Sequence, residues 1–305
     1  MAQGKAPPTS TKRKAPPTST KKKALPTSTK GKAPPTSTKV DVKRAISHAI
    51  EGAGDTVEET IAATKDATVT ALQSVGKVGK AGAKAGADIL TGAIEAAYDV
   101  GSELGNVVKG SIIGVIQGTA EVASVTVSSL VGIARDAISG TSSVSKDIGT
   151  VATETAHGAI VATKNIALTA EDAAFGVAFG LISGTGKIGT DIGLTARSAM
   201  RGSIAGANEI GGDVIQAANS TARGLIKGTY ETGGSLSEVA ISAVEGAIDA
   251  AKSIGVKAED AASAAASGAV EAAGEISEAT AAAVAKAVTK TIGGVKVIVK
   301  APLKA

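Results

Sequence analysis

The chain of 305 residues has no cysteine and no tryptophan, and only two histidines, two phenylalanines and two tyrosines. Without cysteine there are no disulfides and no thiolate metal sites, and the redox compartment is unreadable. His48 and His157 stand far apart in sequence and read as solvated helix residues rather than as a ligand pair. Large aromatic side chains fill most globular cores; here Ala and Gly carry much of the apolar content. Long hydrophobic runs are missing too. The nearest approach to a membrane span, Ala173 to Ile182, is too short and follows Glu171 and Asp172. No apolar run follows Met1 as a secretory leader requires. The expectation is a cytoplasmic protein, peripheral to a membrane or granule. Yet 43% of residues are hydrophobic and the mean hydropathy is +0.20, too apolar for ordinary disorder.

The apolar residues are strictly phased. Ile94, Ile116, Ile138, Ile160, Ile182, Ile204, Ile226, Ile248, Val270 and Ile292 recur every 22 residues with no insertion or deletion. Two residues before most of them stands glycine (Gly92, Gly114, Gly158, Gly180, Gly202, Gly224, Gly246, Gly268); Asp136 is the first exception. Two residues after each stands only Ala or Gly. Six residues after comes a β-branched phase: Val100, Val122, Val144, Ile166, Ile188, Ile210, Thr232, Ile254 and Ile276. Variable loops would destroy such a phase, so the chain is a repeat protein whose function should reside in a surface.

No proline lies between Thr36 and Ala301, and alanine is abundant, so the repeats read as helix. The fold class expected is all-α: long amphipathic helices on an unbroken repeat of two elevens, either continuous or folded back as hairpins. Residues 40–290 form this region, with a short helix near 40–51 ended by a cap at Gly52 to Thr56, and 291–305 form a short basic end. Within that end, Val295 to Lys300 partly alternates and suits a short strand or a frayed end. Gly211-Gly212, Gly233-Gly234 and Gly184-Thr185-Gly186 are the candidate hinges.

An eleven-residue period barely drifts around a helix. On a wheel advancing about 98° per residue, the Ile94 and Val100 phases bound an apolar arc of roughly 130–160°. This arc is the candidate interface. Opposite it fall a phase with Glu95, Gln117, Lys227, Asp249 and Glu271, and another with Asp99, Glu121, Asn165, Lys187, Glu209, Glu231 and Glu275. The glycines also fall on the far side, in ladders such as Gly110–Gly114–Gly118 and Gly176–Gly180–Gly184. They read either as close helix contacts or as plain loss of bulk. A lysine at Ile160 or Ile182 is then expected to hurt far more than one at Gly158 or Gly180.

Residues 1–39 differ in kind. Four nonapeptides, KAPPTSTKR, KAPPTSTKK, KALPTSTKG and the shorter KAPPTSTK, hold seven of the eight prolines. Such sequence is expected to be a disordered, extended arm. Its cations, Lys5, Lys12, Arg13, Lys14, Lys21, Lys22, Lys23, Lys30, Lys32 and Lys39, meet no acid, giving +10. The remainder carries 32 − 10 = 22 basic and 28 acidic residues, a net of −6. A basic arm on an acidic body points to a polyanion partner, nucleic acid first and anionic lipid second.

The arm resembles the Lys-Pro-Ala-rich arms of linker-histone-like proteins and of some phasins, the coat proteins of polyester granules. The body resembles the eleven-residue-repeat helices of perilipins, synucleins and exchangeable apolipoproteins. It departs from synucleins where lysines would flank the apolar face: that phase reads Arg135, His157, Phe179, Arg201, Arg223, Glu245. These resemblances imply a protein that coats a lipid, droplet or granule surface and tethers it to a polyanion. Self-association into a helical bundle or fibre is the competing reading. A desiccation protectant of the late-embryogenesis-abundant kind is a third, and the incomplete Thr119, Thr141, Thr163, Thr185, Thr229 phase raises ice binding only faintly. No cofactor, metal or small-molecule substrate is expected, and no enzymatic activity. Gly184-Thr185-Gly186-Lys187 lacks the spacing and preceding strand of a phosphate loop.

Overall fold

A computed structural model describes residues 43, 44, 47, 56–75, 80–100, 104–141 and 147–299. Eleven α-helices occur among them: α1 (Thr56–Val75), α2 (Lys80–Val100), α3 (Leu104–Val122), α4 (Val127–Thr141), α5 (Ile148–Ala162), α6 (Ala170–Ile188), α7 (Ile192–Glu209), α8 (Val214–Thr232), α9 (Leu236–Ile254), α10 (Ala258–Gly274) and α11 (Glu278–Val288). A short hairpin of β1 (Thr291–Ile292) and β2 (Val295–Lys296) follows. The all-α expectation holds. The repeat is not a continuous rod, however. From α6 to α10 each 22-residue unit is one helix and one short connection.

The connections are written into the sequence at the same period. Gly189, Gly211, Gly233 and Gly255 all have φ near +70°, a left-handed stop that a side chain disfavours. At the end of α8, Gly234 N–H donates to the Thr229 carbonyl and Gly233 N–H to that of Tyr230, closing the last turn. The next helix then starts on a capping side chain. Asp147, Thr169, Asp191, Asp213 and Ser235 each accept a backbone N–H from the first turn of α5 to α9. Of the expected hinges, Gly211-Gly212 and Gly233-Gly234 are helix ends. Gly184-Thr185-Gly186 instead lies inside α6, because the stop comes at Gly189.

From α1 to α10, each helix contacts helices two apart in sequence more extensively than its consecutive neighbours, whereas α11 packs more against α10 than against α9. The odd-numbered helices therefore form one layer and the even-numbered helices the other. Neighbours within a layer run parallel: Gly202 and Gly206 of α7 abut the carbonyls of Thr153 and His157 in α5, both positions advancing together. The same 49-residue offset sets Gly180 and Gly184 of α6 on the carbonyls of Val131 and Arg135 in α4, and Gly224 and Gly228 of α8 on those of Phe175 and Phe179 in α6.

Every member of the isoleucine ladder from Ile94 to Ile292 is buried. Val100 ends α2, and its side chain lies outside the described residues; Ile166, Ile188, Ile210, Ile254 and Ile276 in its phase pack half-buried against the core at helix ends. The glycine phase is also buried, which corrects its expected place on the solvent side. A Cβ on Gly158 would stand 2.8 Å from the Lys109 carbonyl oxygen, and one on Gly180 2.5 Å from that of Val131. The expected contrast between lysines at Ile160 and at Gly158 therefore disappears, since neither site has room.

The facing partner of these glycines is the isoleucine ladder itself. Cβ of Ile138, Ile160 and Ile182 lies beside Gly184, Gly206 and Gly228 in the next-but-one helix. Alanines complete the interior: Ala156, Ala178, Ala196, Ala222, Ala240 and Ala262 are all fully buried. At the C-terminal end, the hairpin turns through Gly293 and Gly294, both with positive φ, as a two-residue turn requires. Its Ile292, Val295 and Val297 are buried, and Ile298 N–H donates to Ser263 Oγ. The short strand foreseen in Val295 to Lys300 is thus β2. Of the helix expected near 40–51, Lys43, Arg44 and Ser47 are helical, and the rest, with the expected cap at 52–55, lies outside the described residues.

Close packing at the glycines gives a direct test. Gly202→Ala should cost about 2–3 kcal/mol, the upper range for overpacking, because the Thr153 carbonyl occupies the space of the new methyl. Gly132→Ala in α4 meets nothing within 4 Å and should be neutral or stabilising by up to about 1 kcal/mol through helix propensity. Urea unfolding midpoints decide; equal effects of the two substitutions would contradict the packing.

Candidate functional site on the outer faces of the layers

Charged side chains line the solvent-facing seams between parallel helices. Lys65 of α1 pairs with Glu121 of α3 at 2.5 Å, and Arg197 of α7 with Asp249 of α9 at 2.6 Å. In the other layer, Arg223 and Lys227 of α8 meet Glu275, just past α10, at 3.1 and 2.5 Å. Lys43 reaches Asp99 at the end of α2 at 2.5 Å. Three pairings, His157 to Glu209, Arg197 to Asp249 and Arg223 to Glu275, are each 52 residues apart. That constancy follows from the parallel offset of the layers.

Of the acidic ends of these pairs, Asp99, Glu121, Glu209 and Glu275 belong to one phase of the expected polar arc, and Asp249 to the other. That arc is thus real, but it works as a ladder of ion pairs rather than as a uniformly solvated face. The cationic ends did not stand out in the sequence, because their partners sit two helices away.

The densest cluster spans three helices. Glu209 at the end of α7 accepts from Lys109 of α3 at 2.6 Å and lies 2.6 Å from His157 Nε2 of α5; Glu154 stands 3.5 Å from His157 Nδ1. His157 is therefore paired, not merely solvated. Burial pushes the Glu209 carboxyl up, but the hydrogen bonds from Lys109 and His157 outweigh it and hold the pKa below the usual range. Glu275 is held low chiefly by its hydrogen bond to Lys227, helped by Arg223. The Asp249 carboxylate likewise raises the pKa of Arg197, and that of Glu121 raises Lys65.

The arm cations from Lys5 to Lys39 named above lie outside the described residues, as does His48. The threonine phase is not an exposed array: Thr141, Thr185 and Thr229 are buried, each donating its hydroxyl to a carbonyl of its own helix. Among the described residues, no group of three or more His, Cys, Asp or Glu side chains is placed to hold a metal ion. No described helix is long and apolar enough to cross a membrane. No protein-family model matches the chain, and no curated protein matches it.

The Glu209 cluster makes stability depend on pH in a defined direction. A carboxyl whose folded pKa is depressed contributes stability above its unfolded value, and loses it as pH falls through the folded value. Glu209→Gln should therefore cost no more than about 1 kcal/mol at neutral pH, given its solvent exposure. The gap between variant and parent should close as pH falls below the ordinary 4.5. Urea midpoints across an acid pH series check this; a gap that widens in acid would refute the assignment.

Proposed function

We propose that the protein is a non-enzymatic helical scaffold whose body packs on itself and whose basic arm binds a polyanion. The carrying observation is the separation of charge. Residues 1–39 hold ten cations and no acid, whereas the rest of the chain is acidic by six charges. Neutralising phosphates releases counterions, so an arm of this kind gains affinity without reading sequence. It has no aromatic residue to stack on single-stranded bases, which favours a backbone-directed mode on duplex DNA.

The body supports the scaffold half of this reading. Its isoleucine ladder is used between helices, as the self-packing alternative requires. A coat of lipid, droplet or granule through that same face would first have to separate the two layers, exposing side chains such as Ile116, Ile160 and Ile204 that are fully buried. The lipid-coating and phasin-like readings therefore rank behind self-packing, and the protectant reading has no observation in its favour.

Electrophoretic retardation of a duplex DNA of arbitrary sequence tests the arm. The whole chain should retard it at low salt, with affinity falling steeply and linearly on a log–log plot against salt. Deleting residues 1–39 should abolish retardation while leaving the helical circular dichroism of the body intact. Unchanged retardation after deletion would overturn the proposal. Flotation with neutral droplets that raises helix content would reinstate the coating reading.

A further inference from the structure

Asp136 replaces glycine at one rung of the ladder, in α4 of the even layer. Its counterparts in that layer, Gly180 and Gly224, each abut a carbonyl of the preceding helix. One turn later, a Cβ on Gly140 would lie 2.9 Å from Thr91 Oγ1 and 3.6 Å from Ile94 Cδ1. Beside Asp136 a cavity of about 170 Å³ opens between α1, α2, α3 and α4. Leu72, Ile89, Val115 and Ile133, one from each helix, give it a mainly apolar wall. Gly86 and Gly132 also line it, and a Cβ on either would meet nothing within 4 Å. These two glycines leave space open, where the others in the layer bring backbones together.

We propose that this cavity binds a small amine with an apolar body, its ammonium group held by Asp136. Volume sets the size, since an apolar cavity of about 150 Å³ admits benzene. Charge sets the headgroup. Among the described residues, no hydrogen bond or ion pair engages the Asp136 side chain, which is half-buried. The charged groups that act on it are Arg135 on its own helix and Lys187 of α6. No titratable residue of α1, α2 or α3 is among the cavity's described lining. Burial outweighs the two cations and pushes the Asp136 carboxyl up to about 6. The ionised carboxylate thus has no protein donor among the described residues, and an ammonium supplies three in a charge-assisted contact. The sign is fixed by the raised pKa. The folded chain is relatively favoured below the ordinary 3.8 and loses that advantage as pH rises through about 6. A bound cation recovers it, so amine binding strengthens as Asp136 ionises.

Isothermal titration of the full chain with benzylamine, benzyl alcohol and toluene tests this. Near pH 7.5, benzylamine should bind at least roughly tenfold more tightly than either neutral probe, one charge-assisted contact's worth. At about pH 5, below the raised carboxyl pKa, the advantage should shrink severalfold. Asp136→Asn should remove the preference for benzylamine while toluene still binds. Gly132→Leu, which fills the cavity from α4, should remove binding of all three probes, and Gly86→Leu should do so from α2, with helical circular dichroism confirming folding of each variant. The proposal is overturned by no binding to the parent chain, by equal affinity for benzylamine and toluene, by a benzylamine preference that survives Asp136→Asn, or by binding that persists in folded filled variants.

Discussion

A helix inside a layer has a neighbour on each side, and here it offers them opposite surfaces. Toward the following helix of its layer it presents an isoleucine; toward the preceding one it presents a glycine groove. Ile138 meets Gly184, Ile160 meets Gly206 and Ile182 meets Gly228, always 46 residues on. Each rib needs a groove because the helices approach until a methyl on the groove would strike the neighbouring carbonyl. Across these rungs a unit is both giver and receiver, so one unit fixes the next. One inserted residue would rotate a helix by about 100° and misplace its rib and its groove together, against two different partners. That double penalty explains a 22-residue spacing held from Ile94 to Ile292 without an insertion or deletion.

The same contact explains the composition. Glycine and alanine let backbones approach closely, so the interior fills by proximity rather than by bulk. Phe175 and Phe179 stay half-buried, and Tyr98 and Tyr230 are exposed at 42% and 58%, so the few aromatics the chain owns are not its core. Ile292 keeps the ladder's phase but sits in the hairpin, which folds β1 onto α9 and β2 onto α10. This rung therefore belongs to the hairpin and not to a helix.

Much of this was legible in the sequence, and the failures share one cause. The period, the helical class, the burial of the Ile94 phase and the helix ends at Gly211 and Gly233 follow from spacing and turn chemistry. The side of the glycines does not. A helical wheel with one apolar arc describes a helix with one partner surface, so the opposite margin is read as solvent. With lateral neighbours on both sides, the position opposite the isoleucine is a second interface, and Gly158, Gly180 and Gly202 occupy it. Reading 22 as two elevens also hid the breaks, though Asp147, Thr169, Asp191, Asp213 and Ser235 mark helix starts at that same period. The ion-pair seams were half visible: all their acids but Asp249 form one phase, but a 52-residue separation has no meaning until the layers are known.

The seams bear on how the two parts of the chain divide their work. Lys65, Lys109, Arg197, Arg223 and Lys227 each already face a carboxylate of a neighbouring helix. A phosphate arriving at any of them must displace that carboxylate, and the acid left behind repels it. The body is thus poorly suited to polyanions, both by its net charge of −6 and by the prior engagement of these cations. The cations of residues 1–39 have no acid within their own segment to compete. The pairing of these body cations leaves the polyanion, in the proposed scaffold, to residues 1–39. In the proposed scaffold, affinity for the polyanion is then set by the number of nonapeptides, and the length of the helical stack is set separately by the number of 22-residue units.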